Sequence, residues 1–246
     1  MTALDRPYWI EALIERREGW DPEAYPFNLP VLRGLDSIAF HPRVTFLVGE
    51  NGSGKSTLIE ALAVAWGFNA EGGSKDHQYS TRESHSPLHQ FVRPVRAPIR
   101  ARDGYFLRAE SFFTTASYLE ESGTSRRGQM GLHERSHGEA FFDLFDHRFE
   151  GDGLYILDEP EAALSPSRQL SFLAKLHELV LARSQLIIAT HSPIILGYPD
   201  AWIYETSERG LERVEYEDLD HVTVTRSFLN RRQTFLDVLL SEDEEE

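Results

Sequence analysis

The chain has 246 residues, 41% of them apolar, enough for one large domain or one core carrying an insertion. Its formal net charge of −15 argues against general binding to a nucleic-acid backbone, and the absence of cysteine excludes disulfides and thiol-based metal or nucleophile chemistry. No apolar run approaches the length of a membrane span and no signal-peptide core opens the chain, so a cytoplasmic protein is expected, meeting membranes only through a partner.

Residues 1–30 are rich in Trp, Tyr and Pro, and Ile10, Leu13 and Ile14 predict a short amphipathic helix. Tyr25-Pro26-Phe27 leads into a predicted strand over 29–35. Ile38-Ala39-Phe40 and the run 44–48 predict two further strands joined by His41-Pro42-Arg43. The second is of the type that parallel sheets bury on both faces. Leu58, Ile59, Leu62 and Trp66 recur at helical spacing, so a helix is expected to end near Gly67.

Between that strand and that helix, Gly49-x-x-x-x-Gly54-Lys55-Ser56 fits the phosphate-binding loop without mismatch. Backbone N–H groups surround a phosphate only where the chain curls tightly and no Cβ intrudes, hence Gly49, Gly52 and Gly54. The helix N-terminus adds unpaired N–H groups, Lys55 a point charge for the β- and γ-phosphates, and the Ser56 hydroxyl a ligand for Mg²⁺. The candidate nucleotide-binding run is Gly49, Glu50, Asn51, Gly52, Ser53, Gly54, Lys55, Ser56 and Thr57. Tyr25 and Phe27, shortly before it, either pack in the core or stack on adenine.

From 68 to about 104 the chain turns polar and reads as a loop-rich insertion. His85 and His89 are spaced to share a helical face with a metal, but no acidic or cysteine partner completes a site, so a polar loop is expected. Arg93, Arg96, Arg100, Arg102 and Arg108 concentrate positive charge against the overall balance; they form either an acid-paired surface or a nucleic-acid contact. A strand is predicted over 105–109 and a helix through Phe112, Phe113, Ala116 and Leu119. Ser136-His137-Gly138-Glu139 opens another helical pattern, where Ser136 and Glu139 form a capping box.

The run 153–160, Gly-Leu-Tyr-Ile-Leu-Asp-Glu-Pro, is a second decisive motif. An apolar strand delivers Asp158 and Glu159 at its carboxyl end, where open parallel sheets bind ligands. Asp158 suits the Mg²⁺ shell, and Glu159 suits orienting or deprotonating an attacking water. Ser165-Pro166 predicts an N-cap and N1 proline, followed by a helix with Leu170, Leu173, Leu176 and Val180 inward. A buried strand over 185–190 ends at His191, whose position beside Thr190 at the sheet's mouth suits sensing a γ-phosphate. A hairpin over 202–206 and 211–216 and one helix over 222–240 follow, before an acidic tail at 241–246.

Taken in order, Gly-Glu-Asn-Gly-Ser-Gly-Lys-Ser-Thr at 49–57, Ser-His-Gly-Glu at 136–139, Leu-Asp-Glu-Pro-Glu-Ala-Ala-Leu-Ser-Pro at 157–166 and Ala-Thr-His-Ser-Pro at 189–193 resemble an ATP-binding-cassette ATPase. More narrowly the chain resembles the small, soluble AAA-type ATPases of that fold, over about 30–206. The resemblance implies that Ser136, Gly138 and Glu139 correspond to the cassette signature, which in that family contacts ATP bound to an opposing subunit. The sequence departs from the family pattern in lacking Leu-Ser-Gly-Gly-Gln, in placing Ser165 where a cross-dimer carboxylate is usual, and in lacking the usual Gln, for which Glu110 is the candidate. These departures weigh against transporter membership, and the chain has no room for a long coiled coil.

The expected fold is α/β, a P-loop NTPase fold of the ATP-binding-cassette type. Its mainly parallel sheet is flanked by helices, with an antiparallel N-terminal β layer and an inserted helical lobe. A single ATPase domain over 1–246 is expected, with its core at about 30–67 and 150–206 and the lobe at about 68–149. The expected function is Mg²⁺-dependent ATP hydrolysis. Lys55, Glu159 and His191 are the catalytic candidates, Ser56 and Asp158 the metal ligands, and an ATP-dependent homodimer the assembly. The alternatives are an ATPase subunit of a membrane transporter and a nucleotide-gated module that binds nucleic acid; a protein partner is also compatible.

Overall fold

The computed structural model describes residues 6–74, 86–108, 142, 145 and 148–241. A small antiparallel sheet is built from β1 (Trp9–Ile14), β2 (Ser37–Ala39) and β4 (Val92–Arg96), with β1 central. The larger sheet contains β3 (Val44–Gly49), β5 (Asp103–Arg108), β6 (Gly153–Asp158), β7 (Gln185–Ala189), β8 (Trp202–Ser207) and β9 (Gly210–Val214). Its order is β5-β6-β7-β3-β8-β9, and every neighbouring pair is parallel except β8 with β9. With the phosphate loop running from β3 into a helix, this is the mostly parallel α/β arrangement of a P-loop NTPase, and the antiparallel N-terminal layer is present.

The alternation of side chains along each strand divides the core in two. Leu47, Phe106, Leu154, Ile156, Ile187 and Ala189 face α1 (Lys55–Trp66), which lies between the two sheets. Phe46, Val48, Tyr155, Leu157, Leu186 and Ile188 face the opposite layer, containing α2 (Pro166–Leu181) and α3 (Pro193–Leu196). Apolar residues on consecutive positions are therefore required, since both faces of the central strands are covered. Leu58, Ile59, Leu62 and Trp66 of α1 are all buried, and Gly67 caps the helix at φ 110°.

Several expectations from local pattern are corrected. The residues around Ile10 form strand β1, not a helix, because β2 and β4 pair with both of its edges. The stretch 29–35 is not a strand; it contains the single 3₁₀ turn Pro30–Leu32, whose neighbour Leu29 packs beside Gly54 of the phosphate loop. The span 68–149 is not a wholly helical insertion. It supplies β4 to the small sheet and β5 to the edge of the large one, so the core extends beyond 30–67 and 150–206. Helix character within that span is described at positions 142, 145 and 148.

The buried side of α2 is Phe172, Leu176, Leu179 and Val180, whereas Leu170 is exposed. Ser165 precedes that helix in extended conformation and Pro166 opens it, but the Ser165 hydroxyl meets Ser167 Oγ at 3.1 Å and makes no capping bond. The C-terminal helix is two helices, α4 (Asp220–Asn230) and α5 (Arg232–Leu239), broken where Arg231 takes φ −132°. The 202–216 hairpin forms as expected, and β8 also pairs with β3.

One polar side chain joins the two sheets. Gln185, fully buried at the start of β7, accepts N–H bonds from Tyr8 and Trp9 and donates to the carbonyls of Trp9 and His41. Trp9 stacks on Trp66 of α1 with centroids 5.0 Å apart. Replacing this amide by an apolar group strands buried backbone groups, each worth about 1–3 kcal/mol. Gln185→Leu should therefore lower unfolding free energy by about 3 kcal/mol or more, read as a fall in the urea midpoint; an unchanged midpoint would show the small sheet docks without it.

Candidate functional site

The phosphate loop is held open by its own packing. Gly54 takes φ 97° immediately before α1, and a Cβ there would meet Val31 Cγ1 at 2.9 Å. Gly49 lies against β8, and a Cβ on it would meet Thr206 Cβ at 2.9 Å. Gly52 differs: a Cβ on it would meet no heavy atom within 4 Å. Packing therefore explains Gly49 and Gly54, while Gly52 is exposed, borders open space and is explained by its left-handed φ of 80°.

Lys55 is 4% exposed, and its Nζ donates to the carbonyls of Gly49 at 2.7 Å and Glu50 at 2.8 Å, closing the loop on itself. Burial pushes its ammonium below the ordinary lysine value, against the opposing pull of Glu159, Asp158 and Glu161. One ammonium beside three carboxylates leaves the site locally negative, so a polyanion entering it needs a divalent cation to offset those carboxylates. Tyr25 is 63% exposed, with its hydroxyl 3.4 Å from Thr57 Oγ1, so it remains open to solvent beside the loop. Phe27 is in an aromatic cluster, 4.5 Å from Trp20 and 4.9 Å from Phe91.

The acidic motif reaches the loop through sheet register. Asp158 pairs with Ala189 on one side and Arg108 on the other, so β5, β6 and β7 end together. Asp158 is 6% exposed, and the Ser56 hydroxyl donates to its Oδ1 at 3.2 Å. Hard oxygens from the first turn of α1 and the end of β6 thus meet at one point, the donor set Mg²⁺ prefers. Glu159 leaves the strand at φ 52°, with its N–H bonded to the Ala189 carbonyl at 2.9 Å. This left-handed backbone costs a non-glycine residue on the order of 1–3 kcal/mol and turns the carboxylate out of the sheet.

His191, two residues beyond β7, completes the group. Its Nε2 is 3.4 Å from Glu159 Oε1, and its backbone N–H donates to Glu161 Oε1 at 2.5 Å. Its Nδ1 is 3.3 Å from Nε2 of His221, the second residue of α4. Burial, then the nearby Lys55 charge, holds His191 below the ordinary imidazole value, while Glu159 pulls the other way. Burial pushes the Glu161 carboxyl up, and the bond from His191 opposes it. Thus Lys55, Ser56, Asp158, Glu159 and His191 all converge at one edge of the sheet.

Three participants escape the motif reading. Glu161 lies inside the acidic run but carries no positional sign of its bond to His191. His221 is 30 residues from His191, and only the fold joins them. Arg108, one of the clustered arginines, ends β5 with Nη1 2.6 Å from Glu60 Oε2 and Nε 3.8 Å from Asp158 Oδ2. Arg93 pairs with Glu15, Arg96 stacks over Trp66 with 4.4 Å to the ring centroid, and Arg102 is 3.2 Å from Asp152. These arginines are therefore acid-paired or ring-stacked. His89 Nδ1 lies 3.0 Å from the Ser86 carbonyl, and no cluster of three metal-ligating His, Asp or Glu side chains occurs among the described residues. His85, Glu110, Ser136, Gly138, Glu139 and 242–246 lie outside the described residues.

A family model described as an AAA domain matches residues 28–127, a span that includes the phosphate loop and α1. No curated protein matches the chain. Among solved structures, the SMC head domain from Thermotoga maritima is similar at 19% identity and a TM-score of 0.43, covering 73% of this chain and 93% of that one. No helix among the described residues is long and apolar enough to cross a membrane.

The two glycine environments separate stability from ligand binding. Gly52→Ala adds left-handed strain of about 1–2 kcal/mol and places a methyl group in the open space beside the loop, so on the nucleotide reading it should weaken nucleotide binding. Gly49→Ala should destabilise the fold more, because its Cβ meets β8. Thermal unfolding and titration with a fluorescent nucleotide distinguish the two; unimpaired binding by Gly52→Ala would show that the space beside Gly52 is not used.

Proposed function

We propose that this chain binds MgATP and hydrolyses it to ADP and phosphate. The convergence of Lys55, Ser56, Asp158, Glu159 and His191 at one sheet edge carries the reading. The AAA-domain match over the phosphate loop supports it. Backbone N–H groups of 49–57 and the Lys55 ammonium hold the phosphates. Ser56 and Asp158 hold Mg²⁺, which when bound supplies charge neutralisation on the phosphate oxygens. Glu159, half-exposed and fixed by its backbone bond to Ala189, takes the proton of the attacking water. His191 presents its imidazole beside Glu159, toward the terminal phosphate.

The finer reading is a single cassette-type ATPase domain with a lobe inserted between β5 and β6, acting in the cytoplasm as an ATP-dependent homodimer. Ser136, Gly138 and Glu139 of one copy would close over the nucleotide of its partner. The order of the motifs supports this, with 136–139 preceding the Asp158-Glu159 strand. The intrachain partners of Arg93, Arg96, Arg102 and Arg108 weigh against a nucleic-acid contact through those four side chains.

Lys55→Ala should abolish ATP turnover in a phosphate-release assay, and chelation should abolish parental turnover until Mg²⁺ is restored. Near-parental rates in either arm would overturn the reading. Glu159→Gln should lower turnover by on the order of a hundredfold while still retaining nucleotide on a desalting column. Light scattering after size exclusion should then show Glu159→Gln as a dimer with MgATP and as a monomer without it. Ser136→Arg added to Glu159→Gln should block that dimer, and a monomeric Glu159→Gln with ATP bound would exclude the shared site.

A further inference from the structure

We propose that His221 is a positioning residue that fixes the Nε2–H tautomer of His191, so that His191 presents a donor and not a lone pair on the side facing Glu159. The inference deepens the ATPase reading, because an N–H is what a phosphate oxygen can accept from. It stands on the geometry of the two rings and needs no nucleotide to be tested.

One proton lies between His191 Nδ1 and His221 Nε2, 3.3 Å apart, when both rings are neutral. Two arrangements are available. If His191 donates from Nδ1, its Nε2 carries a lone pair 3.4 Å from the Glu159 carboxylate, an electrostatic repulsion. His221 must then carry its own proton on Nδ1, which is buried with no hydrogen-bond partner among the described residues. That leaves an N–H without an acceptor, an arrangement folded proteins rarely keep. If His221 donates from Nε2, the repulsion becomes an attraction, and the buried N–H that makes no hydrogen bond is the one on His191 Nε2, 3.4 Å from the Glu159 carboxylate. His191 turns an N–H toward Glu159, and the orphaned His221 Nδ1 is a lone pair, which is less costly to leave unmatched. The second arrangement is better because its unbonded N–H faces a carboxylate, whereas that of the first faces no acceptor among the described residues.

The surrounding contacts hold the pair in place. Glu161 fixes the His191 backbone by accepting its N–H at 2.5 Å. On the other side, Leu219 and Val222 are buried in the core around His221, and the Tyr216 hydroxyl anchors this segment to the Pro193 carbonyl at 3.0 Å. Glu161 therefore sets where the histidine is, and His221 sets which ring nitrogen carries its proton. The Lys55 ammonium, on the phosphate-loop side, further favours the neutral ring.

The test compares His221→Gln with His221→Leu in ¹⁵N-labelled protein without nucleotide, the His191 ring signals being identified with His191→Gln. A glutamine amide can place an N–H donor near the position of Nε2, and leucine supplies none. The parent and His221→Gln should show His191 protonated on Nε2 and bare on Nδ1, and His221→Leu should show a mixture of tautomers. In parallel, His221→Leu should lose about 10- to 100-fold in turnover, the range for removing a group that orients a functional histidine, with nucleotide affinity little changed. His221→Gln should recover most of that loss. A parental spectrum protonated on Nδ1, a His221→Leu spectrum identical to the parent, or equal behaviour of the two variants would overturn the proposal. If the parent does not hydrolyse ATP, the ATPase reading fails, and the spectra still decide whether His221 orients His191.

Discussion

Parallel pairing along β6-β7-β3 is the constraint on which the rest of the molecule depends. Parallel strands share a direction, so their carboxyl ends lie on one edge, and the register brings Asp158 beside Ala189 and Leu47 beside Ala189. Each chain segment that leaves that edge therefore starts near the others. The phosphate loop leaves β3, Glu159 leaves β6, and His191 follows β7. The antiparallel layer and the flanking helices maintain this alignment by burying the two faces of the sheet. Gln185 secures one of those attachments at the opposite end of β7.

Charge is arranged at that edge with little slack. Lys55 is buried and turned back on its own loop, while Glu159, Asp158 and Glu161 act on it from the end of β6, two strands away. Arg108 contributes a second cation, held mainly by Glu60 of α1 and only distantly by Asp158. On the proposed MgATP reading, an incoming nucleotide would meet Lys55, the Ser56 and Asp158 oxygens and the His191 imidazole at one sheet edge.

Among the described residues, the α4 helix enters this arrangement through the ring-to-ring contact of His221 with His191. Its buried side rests on the core through Leu219 and Val222, while Val224 and Leu229 are largely exposed. His221 thus joins the group at the sheet edge from an element outside the sheet, and the electrostatics of the site extend beyond the strands and their loops.

Local sequence determined the parts whose chemistry is written within a few consecutive residues. The phosphate loop, the Asp158-Glu159 strand end and the buried strands were legible because close backbone approach demands glycine, and two-sided burial demands continuous apolar runs. What it misjudged were elements defined by partners far along the chain. The segment around Ile10 has helical spacing but becomes a strand because β2 and β4 satisfy both of its edges. The arginines near 93–108 form a cationic cluster in sequence, yet Arg93, Arg96, Arg102 and Arg108 find their acids and rings in Glu15, Trp66, Asp152 and Glu60. Tertiary structure alone decided that Arg108 ends beside Asp158, that Glu161 holds the His191 backbone, and that His221 faces its ring. Those contacts depend on strand order and helix placement, and hydrogen-bond partners brought together across 30 or more residues leave no periodic trace in the chain.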